Sequence, residues 1–253
     1  LQAQLLEIGH VDKLRIPGLK EDRRPVVAGG ISVMLAVVEL LGINELEVAQ
    51  GALRQGVLHD LLYHEPPADK ELAEIEALQQ DFGVDTSHAL RVSRIASELW
   101  QRIRPDIAPE SCSQSLNIAA QLHEIGMRVA LSNYHRHGAY ITEHCGMATW
   151  DPALRQRITQ LVLGHQGKLR KLEDAIEEPD LALPLMALRI AVQLCHTRRE
   201  PDVADLQLKR TGMECKLSTP QGWMQNYPQS ARLLEEEALA WSKTPWSLKL
   251  QLR

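Results

Sequence analysis

The chain has 253 residues, 44 % apolar and 24 % charged, with 28 Lys and Arg against 33 Asp and Glu for a formal net charge of −5. The mixture is that of a globular protein, long enough for one large domain or two, and it lacks the basic excess of a dedicated nucleic-acid binder. No apolar run reaches the roughly 18–20 residues of a membrane span and no basic-then-apolar leader opens the chain, so a cytoplasmic protein with no membrane span is expected.

With 4 % aromatic residues and a single Phe, the core must be built from Leu, Ala, Val and Ile. Cys112, Cys145, Cys195 and Cys215 show no CxxC spacing, which points to neither a zinc knuckle nor a disulfide framework and predicts reduced thiols. The chain opens in mid-pattern, Leu1-Gln2-Ala3-Gln4-Leu5-Leu6 without Met, and reads as a piece of something longer.

Residues 1–64 form a first zone. A short helix and a Pro17-Gly18 turn lead to a short strand, Pro25 to Ala28. Gly29-Gly30 then breaks it before a helix through Leu35, Val38 and Leu41. A second helix is predicted from about Val48 to Leu62. Tyr63-His64-Glu65-Pro66-Pro67 is the linker, because its prolines forbid a continuous helix.

Residues 69–200 are helical by periodicity almost throughout: Lys70 to Phe82, Thr86 to Ile103, Ser113 to Ile125, Tyr134 to His144, Pro152 to Gly164 and Leu181 to Thr197. Thr86 or Ser87 is expected to cap the second of these and Ser111 or Ser113 the third, with Pro184 in the first turn of the last. Residues 201–253 alternate apolar and polar side chains in Asp205 to Arg210 and Glu214 to Ser218, a hairpin pattern. A helix from about Tyr227 to Trp241 and a third strand at Trp246 to Leu252 follow.

The histidines carry the chemistry. His88 stands on one predicted helix, His123-Glu124 at the end of the next, His135 and His137 on another, and His165 after a further one. Imidazole nitrogens and carboxylate oxygens converging from successive helices can hold a divalent ion whose bound water attacks phosphorus. The stretch resembles the HD-domain phosphohydrolases in the His88 helix, in Leu122-His123-Glu124-Ile125-Gly126 and in His165. It departs from them twice. Their His-Asp pair is His123-Glu124 here, and their closing Asp is replaced by Val192. With both carboxylates altered or lost, His88, His123 and Glu124 are expected to form a vestigial site that holds no metal.

A wider resemblance runs along most of the chain. Leu14 to Leu19, Arg23 to Gly30, Gly51 to Val57, Leu122 to Gly126, Tyr134 to Ile141, Leu163 to His165 and the closing hairpin, helix and strand occur in this order in the Ppx/GppA family of exopolyphosphatases and guanosine pentaphosphate phosphohydrolases. The resemblance implies a mainly α fold. An HD-like helical bundle would be preceded by the end of an actin-like (ASKHA) α/β lobe and followed by a small α/β C-terminal extension. It also implies a homodimeric Mg²⁺-dependent phosphoanhydride hydrolase whose catalytic acid lies in sequence preceding this chain, leaving no catalytic residue and no cofactor here. Inorganic polyphosphate is the expected substrate, with guanosine pentaphosphate as the alternative and a non-catalytic anion-binding or dimerisation module as a third reading. Gly29-Gly30 would be a phosphate-loop-like turn.

Polyphosphate is expected to lie along two basic clusters, His135-Arg136-His137 and His165-Gln-Gly-Lys168-Leu-Arg170-Lys171, whose cations offer donors to phosphate oxygens. The histidines of both clusters are expected to gain charge as pH falls toward about 6, since free imidazole titrates near ~6.5.

Overall fold

In the computed structural model, which describes residues 2–13, 19–46, 68–201 and 203–252, the first of two compact units (1–64) carries helices where a strand was expected. They are α1 (Gln2–Ile8) and α2 (Arg24–Leu40). Residues 25–28 belong to α2. Pro25 sits in its first turn, where the missing N–H costs nothing and the fixed φ suits a helix. Gly29 and Gly30 lie inside the same helix with open space around them, so they form no phosphate-loop-like turn; two interior glycines cost about 1 kcal/mol each but do not break a helix. No strand occurs among the described residues of this unit. The helix expected over 48–62, the Gly51 to Val57 motif and the 63–67 linker lie outside the described residues.

The second unit, residues 65–253, begins with six helices: α3 (Ala68–Phe82), α4 (Thr86–Ile103), α5 (Glu110–Leu122), α6 (Tyr134–His144), α7 (Pro152–Gly164) and α8 (Pro179–Leu194). α4 shows why they form. Its buried residues Ala89, Val92, Ala96, Leu99 and Ile103 recur every three to four positions, one apolar stripe along a 3.6-residue repeat. α8 is buried almost all round from Leu181 to Ala191, as befits the central helix, and packs on α4, α5 and α7.

Three local expectations are corrected. The cap of α4 is Asp85, whose carboxylate accepts the His88 N–H at 3.0 Å; it precedes Thr86 and reaches the same free amides. α5 begins at Glu110 without a side-chain cap, and Ser113 instead accepts the Trp100 indole N–H at 3.0 Å. α8 starts at Pro179, which puts Pro184 inside it rather than in its first turn. Pro184 leaves the Asp180 carbonyl without its helical donor, and the Cys112 thiol takes that place at 3.6 Å.

The tail adds a hairpin, β1 (Gln207–Thr211) and β2 (Glu214–Ser218), two helices, α9 (Trp223–Asn226) and α10 (Pro228–Trp241), and β3 (Ser247–Gln251). β2 is central: β1 pairs with it antiparallel, Leu208 facing Leu217, and β3 pairs parallel, Cys215 facing Leu248. The helices α9 and α10 supply the crossover that a parallel neighbour needs. Leu208, Cys215, Leu217 and Trp241 join Leu116 and Leu185 in one hydrophobic core. Residues 69–200 and 201–253 therefore fold as one body. All four cysteines are free, and no helix among the described residues is long and apolar enough to cross a membrane.

Candidate functional site

His88 lies in the first turn of α4, and His123 and Glu124 follow the last turn of α5. His165 follows the last turn of α7, and Tyr134 and His135 open α6. Helix ends thus deliver every one of these side chains. Gly126 makes the assembly possible. A Cβ there would lie 2.0 Å from the Tyr134 carbonyl oxygen and 2.4 Å from the Gly138 nitrogen, so only glycine lets the Ile125–Arg128 turn seat the start of α6 against the cluster.

The four imidazoles form a buried row. Ring centroids are 5.6 Å apart for His88 and His123, 5.3 Å for His123 and His165, and 6.4 Å for His165 and His135, with Tyr134 5.3 Å from His165. Nδ1 of His123 lies 2.7 Å from the Ala120 carbonyl, and Nδ1 of His165 lies 2.6 Å from that of Val162. A carbonyl only accepts, so both rings carry their proton on Nδ1, leaving bare lone pairs at Nε2. Those two Nε2 atoms, and Nδ1 of His88 and His135, meet no partner within the protein.

Burial holds the rings neutral. It pushes His123 down to about 4 and His165 well below the ordinary 6.5. Burial, with Lys171 and Arg136 beside it, pushes His135 down to about 4, and burial lowers His88 against the pull of Glu124. Burial also raises the Tyr134 phenol to about 12, so it stays protonated. The expectation that His135 and His165 gain charge toward pH 6 is therefore corrected: a desolvated imidazole favours its neutral form, and both rings are buried away from a passing polyanion.

His88, His123 and Glu124 each offer one ligand atom, all within 4.8 Å of one another, the one such group among the described residues. Its carboxylate is already engaged. Arg198 donates to both Glu124 oxygens, at 2.8 and 2.9 Å, and to Asp85 at 3.0 Å, while His88 Nε2 is 3.8 Å from Glu124 Oε1. The guanidinium thus places a positive charge directly on the carboxylate. Val192, which stands where the HD pattern has its closing Asp, packs against the core. Nothing in the sequence around Arg198 marked it: its partners lie 113 and 74 residues away, beyond any helical spacing.

The basic residues lie next to this row. Lys168 and Arg170 are exposed, Arg136 is exposed, and His137 and Lys171 are half-buried. Gly167, at φ +77°, sits between two of them: a Cβ there would lie 3.5 Å from Lys171 Nζ and 3.6 Å from His135 Nε2. Burial, then Arg189 and Arg136, lower Lys171 to about 7. Arg189, missed in the sequence, is buried in α8 and forks onto Glu237 of α10 (2.7 Å for Nη2 to Oε2), with its third nitrogen on the carbonyls of Gly164 and Gly167. Glu237 also accepts the Trp241 N–H at 2.7 Å. This buried pair fixes the basic segment to the C-terminal helix. The site thus has two parts: a closed row of imidazoles that burial keeps neutral, and beside it a cationic segment able to hold phosphate oxygens.

Comparison with known proteins identifies what the chain is similar to. The model of the Ppx/GppA phosphatase, domain III, matches residues 72–238, and that of the Ppx/GppA phosphatase family matches residues 1–65. A guanosine-5'-triphosphate,3'-diphosphate pyrophosphatase from Pseudoalteromonas atlantica is 28 % identical over 98 % of this chain and 50 % of its own length. The chain spans about half the length of that relative. With the helical unit matched nearly end to end, this chain belongs to the Ppx/GppA phosphatase family.

Proposed function

We propose that the chain is the substrate-holding part of a phosphoanhydride hydrolase acting on guanosine polyphosphate, which was the alternative to polyphosphate in the reading of the sequence. The observation that carries it is the similarity, along 98 % of this chain, to a protein named for guanosine pentaphosphate hydrolysis. In this reading residues 1–64 belong to the lobe before the helical unit, supported by the family match over 1–65. The His88, His123 and Glu124 cluster is structural, its charge supplied by Arg198. The 168–171 segment holds the substrate phosphates, whose negative charge a Mg²⁺ ion would help neutralise during hydrolysis.

A second reading, inorganic polyphosphate, is favoured by the cations themselves. Arg136, Lys168, Arg170 and Lys171 gather in a protein of net charge −5, and none makes an ion pair among the described residues. The experiment is a titration of the 253-residue chain with guanosine pentaphosphate and with long-chain polyphosphate, alongside phosphate release in Mg²⁺. Tighter binding of guanosine pentaphosphate without release supports the first reading. Preference for polyphosphate replaces it with the second, and release by the chain alone refutes the division of labour in both.

A further inference from the structure

Lys171 differs from the other cations of its segment. Lys168 and Arg170 are exposed, whereas Lys171 is half-buried and its amine donates to the Gln166 carbonyl. The charges that act on it, Arg189 of α8 and Arg136 of α6, are both positive. It makes no ion pair among the described residues. A third cation in this place is unfavourable, so near neutral pH a large share of the amine is uncharged. An uncharged amine keeps its lone pair and is a nucleophile, which an ammonium is not. Space lies beside it. Gly167 carries no side chain, and even a Cβ there would stand 3.5 Å from Lys171 Nζ and 3.6 Å from His135 Nε2. His135 belongs to the first turn of α6, the end of a helix that favours negative charge.

We infer that Lys171 forms a carbamate with carbon dioxide in the space bounded by Gly167, His135 and Arg136. The nitrogen lone pair makes the N–C bond, one C–O π bond opens to leave its electrons on oxygen, and one N–H proton departs to water. The side chain thereby turns from a base into an anion, a charge-changing modification. Arg136 is exposed and makes no ion pair among the described residues, so its guanidinium is free to donate to the new carboxylate. Arg189 acts through its field alone, since Glu237, Gly164 and Gly167 take its nitrogens. The one N–H that remains on Nζ keeps the Gln166 carbonyl. The adduct stands whichever anion the segment holds. Its consequence, weaker binding of phosphate beside a new negative charge, rests on the reading proposed above.

The test equilibrates the 253-residue chain with carbon dioxide in bicarbonate buffer near neutral pH. Carbamates are fixed by alkylation with triethyloxonium and located by peptide mass spectrometry, and carbon-13 NMR with labelled carbon dioxide follows the same adduct. The expected result is occupancy at Lys171 at least tenfold above that at Lys168 or Lys243, and loss of the carbamate resonance in Lys171→Arg. Titration with long-chain polyphosphate should show about tenfold weaker binding under carbon dioxide, a difference absent in Lys171→Arg. No adduct at Lys171, or equal trapping at Lys168 and Lys243, overturns the inference. Trapping is read on the parent chain, so it decides even if the variant fails to fold. An adduct at Lys171 with unchanged polyphosphate affinity upholds the carbamate and instead removes Lys171 from the phosphate-holding segment.

Discussion

Arg198 is the residue on which the histidine row depends for charge. It is the fork that neutralises Glu124, whose side chain is only 10 % exposed. Replacing it by Ala leaves a nearly buried carboxylate without its donors, a loss of about 1–3 kcal/mol for hydrogen bonds to a charged group. The same change frees both Glu124 oxygens beside the ring nitrogens of His88 and His123. The expected outcome is that Arg198→Ala retains close to one equivalent of zinc after dialysis while the parent chain retains none, checked by elemental analysis. The imidazoles set the acid limit. His123 and His135 titrate near 4 in the folded chain against about 6.5 when unfolded, so below 6.5 the unfolded state takes up protons that the native state refuses. Their stabilising effect is complete above about pH 6.5 and is lost as pH falls toward 4. Urea midpoints should drop steadily from pH 7 to pH 5, and a midpoint constant across that interval would contradict the buried neutral row. At this scale the sequence was half legible. Histidines are few and chemically distinctive, so His88, His123 and His165 stood out, whereas an arginine 113 residues from its partner has no local signature.

Elements were legible where a local cause acts and illegible where a distant one does. α4, α6 and α7 begin and end where periodicity and flanking Asp, Pro or Gly place them. The supposed strand at 25–28 failed because Val26-Val27 before two glycines mimics strand and turn, while Pro25 is equally a first-turn helix residue. Two elements approach closely at Gly126. Gly126→Ala places a methyl within 2.4 Å of two backbone atoms of α6, which cannot rotate aside as a side chain would. The expected cost is about 3 kcal/mol, the upper end for overpacking, read as a shift in the urea midpoint with unchanged slope. The 168–171 segment carries a pH dependence of its own. Lys171 gains its proton as pH falls through about 7, so long-chain polyphosphate should bind up to about tenfold more tightly at pH 6 than at pH 8, one charge being the difference. Lys171→Ala should flatten this profile, while Lys168→Ala should lower affinity and keep the profile's shape.

Across the whole molecule, helices and sheet of residues 65–253 share a core, and the apolar side chains that tie them together come from opposite ends of that stretch. Leu116 and Trp241 belong to it alike, which is why a division near residue 200, visible as a change from helical to alternating pattern, marks a change of secondary structure and not of folding unit. The ion pairs that span this body have a temporal consequence. Arg198 can reach Asp85 and Glu124 only once α4, α5 and α8 have docked, because its bonds close loops of 113 and 74 residues. Because these bonds need the helices already in place, they are expected to form after the rate-limiting packing of the core. A late contact leaves the rate of refolding nearly untouched and sets the rate of escape. Stopped-flow measurements on Arg198→Ala are therefore expected to show refolding within about twofold of the parent chain and unfolding faster by about tenfold for each 1.4 kcal/mol lost. The arginine that closes the histidine row is a latch on the lifetime of the folded protein, fastened last and released first.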